Sequence, residues 1–308
     1  ACCGFLLIPV LLRFCKQKNL YDMPNLRKVH HTMIPRLGGI AFIPSMIIAA
    51  VIVMYTMTSN TINGKLQISL WSMGFLLSLL LVYAAGIVDD IVGLNANIKL
   101  FIQIAAACIL PLCGLWINNL YGLLGIYEVP ACIGIPLTVF VIVFIDNAIN
   151  LIDGIDGLAA SLSLIALCGF VYCFMQYSLT AYEVMISGLI GVLVTYLYFN
   201  VWGDPAKGTK IFMGDSGSLP LGAFMGYMAI VAKSELLLLA IGFIFVLETV
   251  SVILQVGSYK LRQKRVFLMA PIHHHFEQKG WKENKIIVRF WIISFMTNLL
   301  ALLSLKIR

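Results

Sequence analysis

The chain has 308 residues, of which 61% are hydrophobic and 11% charged, with a formal net charge of +7. A mean hydropathy of +0.96 is far above what a water-soluble domain carries, which excludes a soluble globular enzyme. Apolar runs near the length needed to cross a hydrocarbon core of about 30 Å recur from end to end, so the bilayer is the solvent for most of the sequence.

In chain order, hydropathy predicts an all-α polytopic membrane protein, a single integral membrane domain over residues 1–308. Ten membrane helices are expected at roughly 1–14, 38–57, 70–88, 98–118, 131–149, 157–176, 183–200, 216–231, 236–256 and 287–306. The residues through Arg13 lack the basic start and small-residue cleavage site of a signal peptide, and read as a first span shortened at its start. The eight cysteines lie almost entirely inside apolar runs with no Cys-x-x-Cys pair, and read as small apolar fillers and not as disulfides or zinc ligands.

If each span crosses once, the connections alternate between two faces. Those after spans one, three, five, seven and nine, with their helix ends, hold 17 of the 21 Lys and Arg. The other face holds Lys65, Lys233, Lys306 and Arg308. The positive-inside rule makes the first group cytoplasmic and places both termini outside. The positive charge therefore needs no nucleic-acid partner, because topology and anionic headgroups account for it. Ten of the 14 acids gather on the same cytoplasmic side, while Glu248 sits within the ninth span. Charge at the edge of a bilayer is costly, so carboxylates repeated at helix ends point to function.

Four motifs carry the chemistry. Gly86-Ile87-Val88-Asp89-Asp90 ends the third span. Its adjacent carboxylates repel unless a metal ion or cationic group sits nearby, and the bland alternative is a solvated loop pair. Asn150-Leu151-Ile152-Asp153-Gly154-Ile155-Asp156-Gly157 opens the sixth span. Its glycines allow close backbone approach to a ligand, although plain helix capping by Asp is the ordinary reading, and the ligand spacing of an EF-hand is missing. Phe212-Met213-Gly214-Asp215-Ser216-Gly217-Ser218 precedes the eighth span and joins an aromatic face, an acid and small residues. His273, His274 and His275 stand together in the longest cytoplasmic connection. Adjacent histidines diverge and no other Cys or His completes a zinc shell, so donors to phosphate or sugar fit better.

All four motifs fall on the cytoplasmic face, where the first connection adds Arg27, Lys28, His30, His31 and Arg36. Carboxylates with Lys, Arg and His at a lipid boundary describe a place where Mg²⁺ and phosphates meet. The reaction class that follows is phosphoryl transfer from a water-soluble nucleotide donor to a lipid acceptor. A transporter is the competing class; acids clustered at one face with no inverted repeat speak against it.

In this order the motifs resemble the polyprenyl-phosphate N-acetylhexosamine-1-phosphate transferase superfamily (glycosyltransferase family 4) over nearly the whole chain. From Lys28-Val29-His30 and Pro35-Arg36-Leu37-Gly38-Gly39 through the octet, the chain is similar to the branch that loads N-acetylglucosamine 1-phosphate onto undecaprenyl phosphate. From about Glu235 onward it resembles the branch that transfers phospho-N-acetylmuramoyl-pentapeptide, through the run from Glu248 to Gly257, the segment from Met269 to Glu277, and Lys279-Gly280-Trp281. The threonine expected in the muramoyl octet is Ile152 here. A fusion of two parents and a divergent member of one branch both give this pattern.

The resemblance implies that a lipid phosphate attacks the β-phosphorus of a UDP-N-acetylhexosamine, releasing UMP. Asp215 would hold Mg²⁺, Asp89 would orient or deprotonate the acceptor, and Asp90 would partner it. Asn150, Asp153, Gly154, Ile155 and Asp156 would shape the uridine and diphosphate pocket, with Phe212 stacking on uracil. His273, His274 and His275 would donate to phosphates or sugar, and Lys28 and Arg36 would contact phosphate. Residues 257–287 would form a cytoplasmic loop that selects the sugar. Its muramoyl type favours the muramoyl-pentapeptide donor over N-acetylglucosamine 1-phosphate transfer for teichoic acid, O-antigen or capsule. The implied setting is the bacterial inner membrane with the site facing the cytoplasm, and homodimers occur in the superfamily.

Overall fold

A computed structural model describes residues 1–18, 20–22, 34–59, 70–123, 125–177, 180–232 and 241–305. Among these residues the chain forms helices α1 (Cys2–Lys18), α2 (Phe42–Ser59), α3 (Leu70–Val92), α4 (Ala96–Leu112), α5 (Ala131–Ile152) and α6 (Leu158–Tyr177). It continues through α7 (Thr180–Val201), α8 (Asp215–Val231), α9 (Phe243–Arg262), α10 (Ile272–Gln278) and α11 (Glu283–Leu305). A 3-10 turn, Gly38–Ala41, leads into α2. Two antiparallel strand pairs complete the described secondary structure: β1 (Tyr21–Asp22) with β2 (Ile34–Pro35), and β3 (Asn119–Leu123) with β4 (Ile126–Glu128).

The protein is an all-α polytopic membrane protein, and the ten predicted spans correspond in order to α1 to α9 and α11. Among the described residues, seven helices are long and apolar enough to cross a membrane: α2 with its leading turn, α3, α5, α6, α7, α9 and α11. Helices α1, α4 and α8 have 17 residues each, or about 25 Å at a rise of about 1.5 Å per residue. The fourth span stops at Leu112 and not near 118. Gly114 takes a left-handed φ of +88°, and the apolar residues beyond it enter the β3–β4 hairpin. Apolar content alone does not show where a helix gives way to a turn.

The interior is apolar, and much of the outer surface is apolar as well. Leu77, Phe101 and Phe140 face outward, whereas Ser78, Thr138, Asn200 and Glu248 are buried. Lipid accepts the first group, and the second must find partners inside the bundle. Ser78 of α3 donates to the Ala106 carbonyl of α4 at 2.5 Å and meets the Tyr227 hydroxyl of α8 at 2.5 Å, joining three helices. All eight cysteines are free, as expected.

Helix α8 is the axis of the bundle. Every residue from Ser216 to Val231 is buried, with α3, α5 and α6 around it. Small residues let the backbones touch. A Cβ on Gly222 would lie 2.5 Å from the Asp146 Cα, and one on Gly86 would lie 2.3 Å from the Asp215 carbonyl oxygen. Among the tightest contacts is Gly39 against Gly217, where a Cβ on Gly39 would stand 2.0 Å from the Gly217 nitrogen. Because that neighbour is backbone and cannot yield, Gly39→Ala is expected to cost about 2 kcal/mol or more by overpacking. The thermal midpoint of the detergent-solubilised protein should fall by several degrees, while Gly257→Ala, inside α9 with nothing within 4 Å, leaves it unchanged or slightly raised. Equal midpoints for both variants would contradict this packing.

Candidate active site

The site is built on the first turn of α8. Gly214 takes φ +70° as the N-cap and offers no side chain to the exposed amides of that turn. The cap comes from another helix: Asp90, in the last turn of α3, accepts the backbone N–H groups of Asp215 at 3.0 Å and Ser216 at 2.8 Å. A carboxylate at a helix N-terminus also meets the positive end of its dipole. Arg36 donates through Nε (3.0 Å) and a terminal nitrogen (2.6 Å) to the Asp90 carbonyl, clamping the same corner. Behind it, Phe212 donates its N–H to the Pro35 carbonyl at 2.7 Å, and its own carbonyl accepts from Gly38 at 2.9 Å. The Pro35 to Gly39 and Phe212 to Ser218 motifs are thus one structural unit.

Asp215, positioned by this cap, meets Asp89 across a single cation. Lys99, in the first turn of α4, donates to Asp89 Oδ2 at 2.8 Å and to Asp215 Oδ2. The remaining oxygens are also engaged. Asp89 Oδ1 accepts from the Leu94 amide at 2.7 Å, and Asp215 Oδ1 accepts from Asn150 Nδ2 at 2.8 Å. Asn150 Nδ2 also reaches Ser218 Oγ at 2.9 Å, so the octet is bonded directly to α8.

The rest of the octet folds around this centre. Burial, reinforced by the charges of Asp215, Asp90 and Asp156, pushes the Asp153 carboxyl well above the usual carboxylate range, and the Gly214 amide only partly counters it. Asp156 is paired with Lys210. Asn200, at the end of α7, accepts the Gly157 N–H at 2.6 Å and donates to the Ile211 carbonyl at 2.9 Å, bracing the octet and the segment before Phe212 together. Ile155 is 2% exposed and belongs to the core.

The histidines enter from α10. His273 and Glu248 are both fully buried. The His273 backbone N–H (3.2 Å) and Nδ1 (3.1 Å) both meet Glu248 Oε1, which draws α10 back along α9. The carboxylate selects the tautomer with a proton on Nδ1. His273 Nε2 then points at Gly154, where a Cβ would lie 2.8 Å away, and the His274 ring edge lies 3.5 Å from the same point. Glycine at 154 lets the histidine segment close on the octet. His274 Nδ1 meets Glu277 at 2.5 Å, and His275 Nδ1 accepts from the Leu268 amide at 3.1 Å. Trp281 stacks on Phe276 at 4.6 Å with Lys285 and Arg289 over its ring, fixing α10 against α11.

The structure therefore brings together Asp89, Asn150, Asp153, Gly154, Asp215, His273 and His274. Asp90 and Arg36 turn to the α8 cap and not to the open side of the cluster; Lys28 lies outside the described residues. Lys99, Asn200, Lys210 and the Glu248–His273 pair carry as much of the geometry and were not anticipated. Lys99 had a signal, being a lone cation at the head of an apolar helix. Asn200 had none.

Carboxylates, a lysine and histidines gathered at the helix ends of a membrane bundle define an integral membrane transferase. Residues 72–233 match Glycosyl transferase family 4, and the chain belongs to that family. It is 49% identical to the phospho-N-acetylmuramoyl-pentapeptide-transferase of Aliarcobacter butzleri over 98% of this chain and 90% of that protein. Identity is 41% to the protein of that name from Nitratiruptor sp. (98% and 90% covered) and 40% to that from Campylobacter jejuni (100% and 92%). The chain is thus an enzyme, a phosphoglycosyl transferase, and the transporter reading falls away. A single relative spans both halves, so the pattern gives no support to a fusion of two parents.

Truncating Glu248 to Ala leaves buried His273 donors without an acceptor, a cost of about 1–3 kcal/mol. Hydrogen exchange across residues 272–278 should accelerate in that variant and stay slow in Glu248→Gln, which keeps an acceptor. Unchanged exchange in Glu248→Ala would remove the anchoring role of this pair.

Proposed function

We propose that the protein transfers phospho-N-acetylmuramoyl-pentapeptide from its UDP-linked donor to undecaprenyl phosphate, releasing UMP. The observation that carries this reading is the meeting of Asp89 and Asp215 on one cation, bonded to the octet and closed by the histidine segment. The names of relatives covering nearly the whole chain support the choice of donor. The histidine segment and the Trp281 motif, in the expected sugar-recognition region 257–287, belong to the same branch.

Mg²⁺ is the cofactor this reading calls for. Among the described residues no three His, Cys, Asp or Glu side chains converge as a ready-made metal site. Mg²⁺ does not need one: it takes one or two carboxylates, with water and substrate phosphate completing its shell. Asp215 and Asp89, whose Oδ2 atoms already share one cation, fit that donor set. Bound there, the ion supplies charge neutralisation to the diphosphate and the leaving UMP.

The protein's own groups do the rest. Asp89 orients the acceptor phosphate, which with a second pKa of about 6 is already mostly ionised at neutral pH and needs little help from a base. Asn150 and the Asp90 cap hold Asp215 in place. Asp153, Gly154 and Asp156 shape the uridine and diphosphate pocket, with Ile155 packed in the core beneath them and Phe212 as the stacking face. His274 and His275 donate to phosphate or sugar, and Arg36 acts through the α8 corner. The concentration of Lys and Arg on this side supports a site facing the cytoplasm of a bacterial inner membrane.

Purified protein given undecaprenyl phosphate, Mg²⁺ and each UDP-sugar in turn should release UMP with the muramoyl-pentapeptide donor. Release with UDP-N-acetylglucosamine alone would overturn the donor assignment. Asp215→Ala should lower turnover by at least about a hundredfold, and undiminished turnover would remove Asp215 from the centre.

A further inference from the structure

Two cations have a claim on the same two oxygen atoms. Oδ1 of Asp89 is held by the Leu94 amide and Oδ1 of Asp215 by Asn150, so the oxygens left to face one another are the two Oδ2 atoms. Both are directed at the Lys99 ammonium. A divalent ion taking those oxygens would stand within hydrogen-bond reach of a lysine, a repulsion that one of the two must relieve by moving. We propose that Lys99 is an internal counter-ion: it occupies the Asp89–Asp215 position in the metal-free protein, yields it to the divalent cation, and turns inward to Asp146. The inference rests on the reading of Asp89 and Asp215 as the metal carboxylates.

Asp146 is the acceptor because of where α4 and α5 place their polar residues. Lys99 and Gln103 lie four apart on one face of α4, and Asp146 and Asn150 lie four apart on one face of α5, with Asn147 beside them about a third of a turn away. Gln103 accepts from Asn147 Nδ2 at 3.0 Å, so the two faces meet. Asp146 is 1% exposed and feels the charges of both Lys99 and Asp215. Gln103 approaches the Asp146 carboxyl without completing a hydrogen bond, and neither its Nε2 nor Asp146 Oδ1 has another partner. A buried carboxylate oxygen without a donor, beside a lysine on a flexible four-carbon stem, is a second seat for that ammonium. Lys99 pairs with Asp89 from α3 and Asp215 from α8, and the Asp146 carboxyl of α5 lies within range of its charge. In moving, Lys99 exchanges two part-buried carboxylates for one buried carboxyl group and is never stranded in lipid.

The test is Mn²⁺ binding alone, with no nucleotide or lipid, read from the free-ion electron paramagnetic resonance signal over the detergent-solubilised full chain. Lys99→Met removes the competitor and should bind Mn²⁺ about tenfold or more tightly than the unaltered protein; Lys99→Gln, polar and less disruptive to folding, should shift the same way. Asp146→Asn removes the second seat and should weaken binding several-fold. Equal or weaker affinity in both Lys99 variants would overturn the displacement, and unchanged affinity in Asp146→Asn would overturn the inward turn. Mn²⁺ bound by none of the proteins would remove the metal reading along with the inference. Affinities that shift as expected in a protein inactive with the muramoyl-pentapeptide donor would count against that donor alone.

Discussion

The molecule depends on compensating the negative charge gathered at the ends of its helices. Asp89 and Asp90 from α3, Asp153 after α5 and Asp215 from α8 lie at one edge of an apolar bundle, where the cost of an unpaired charge is high. Each is met differently: Asp89 and Asp215 by one shared ammonium, Asp90 by two helix amides, and Asp153 by a backbone amide that offsets only part of its burial. Asp156, a turn away, has its own lysine. Remove these partners and the helix ends would repel instead of converging. What results is a concentrated set of hard oxygen donors at the membrane surface, suited to a cation and to phosphate.

Rigidity at this edge comes from small residues and from borrowed caps. Helix α8 can sit at the centre because glycines at 39, 86, 217 and 222 let neighbouring backbones come into contact, and no side chain separates them. Its first turn is capped by Asp90, 125 positions earlier in the chain. A cap of this kind couples α3 to α8 as firmly as packing does, because losing it would expose two helix amides. The same economy appears at Gly154, where the missing side chain lets the His273 and His274 rings approach the octet. The Glu248–His273 pair, buried in a membrane helix, then fixes how far the histidine segment can close.

Much of the site was legible from the sequence, and for identifiable reasons. Acids at the ends of apolar runs stand out because lipid tolerates them poorly, and parity of crossing puts the motifs on one face without any coordinates. Adjacent Asp89 and Asp90 looked like a functional pair, yet they divide the work: one turns to Lys99 and the other to α8. Neighbours on a helix point about a third of a turn apart, so adjacency in sequence says little about a shared target. Lys99 counted toward topology, although a lone lysine heading an apolar helix deserved a functional reading. Asn200 and Lys210 gave no such sign, since a polar residue at a helix end or in a loop is ordinary until its partner is known.

The sequence by itself determined the solvent, the class of fold, the near-complete order of the spans and the motifs that resemble a transferase. These follow from composition and local pattern, which need only neighbours along the chain. Only the tertiary structure decided which carboxylates face one another, that a lysine holds them, that α8 takes its cap from α3, and that a buried acid anchors the histidines. Those are contacts between residues from 10 to more than a hundred positions apart, and their energies depend on distance and burial, quantities that no local pattern contains.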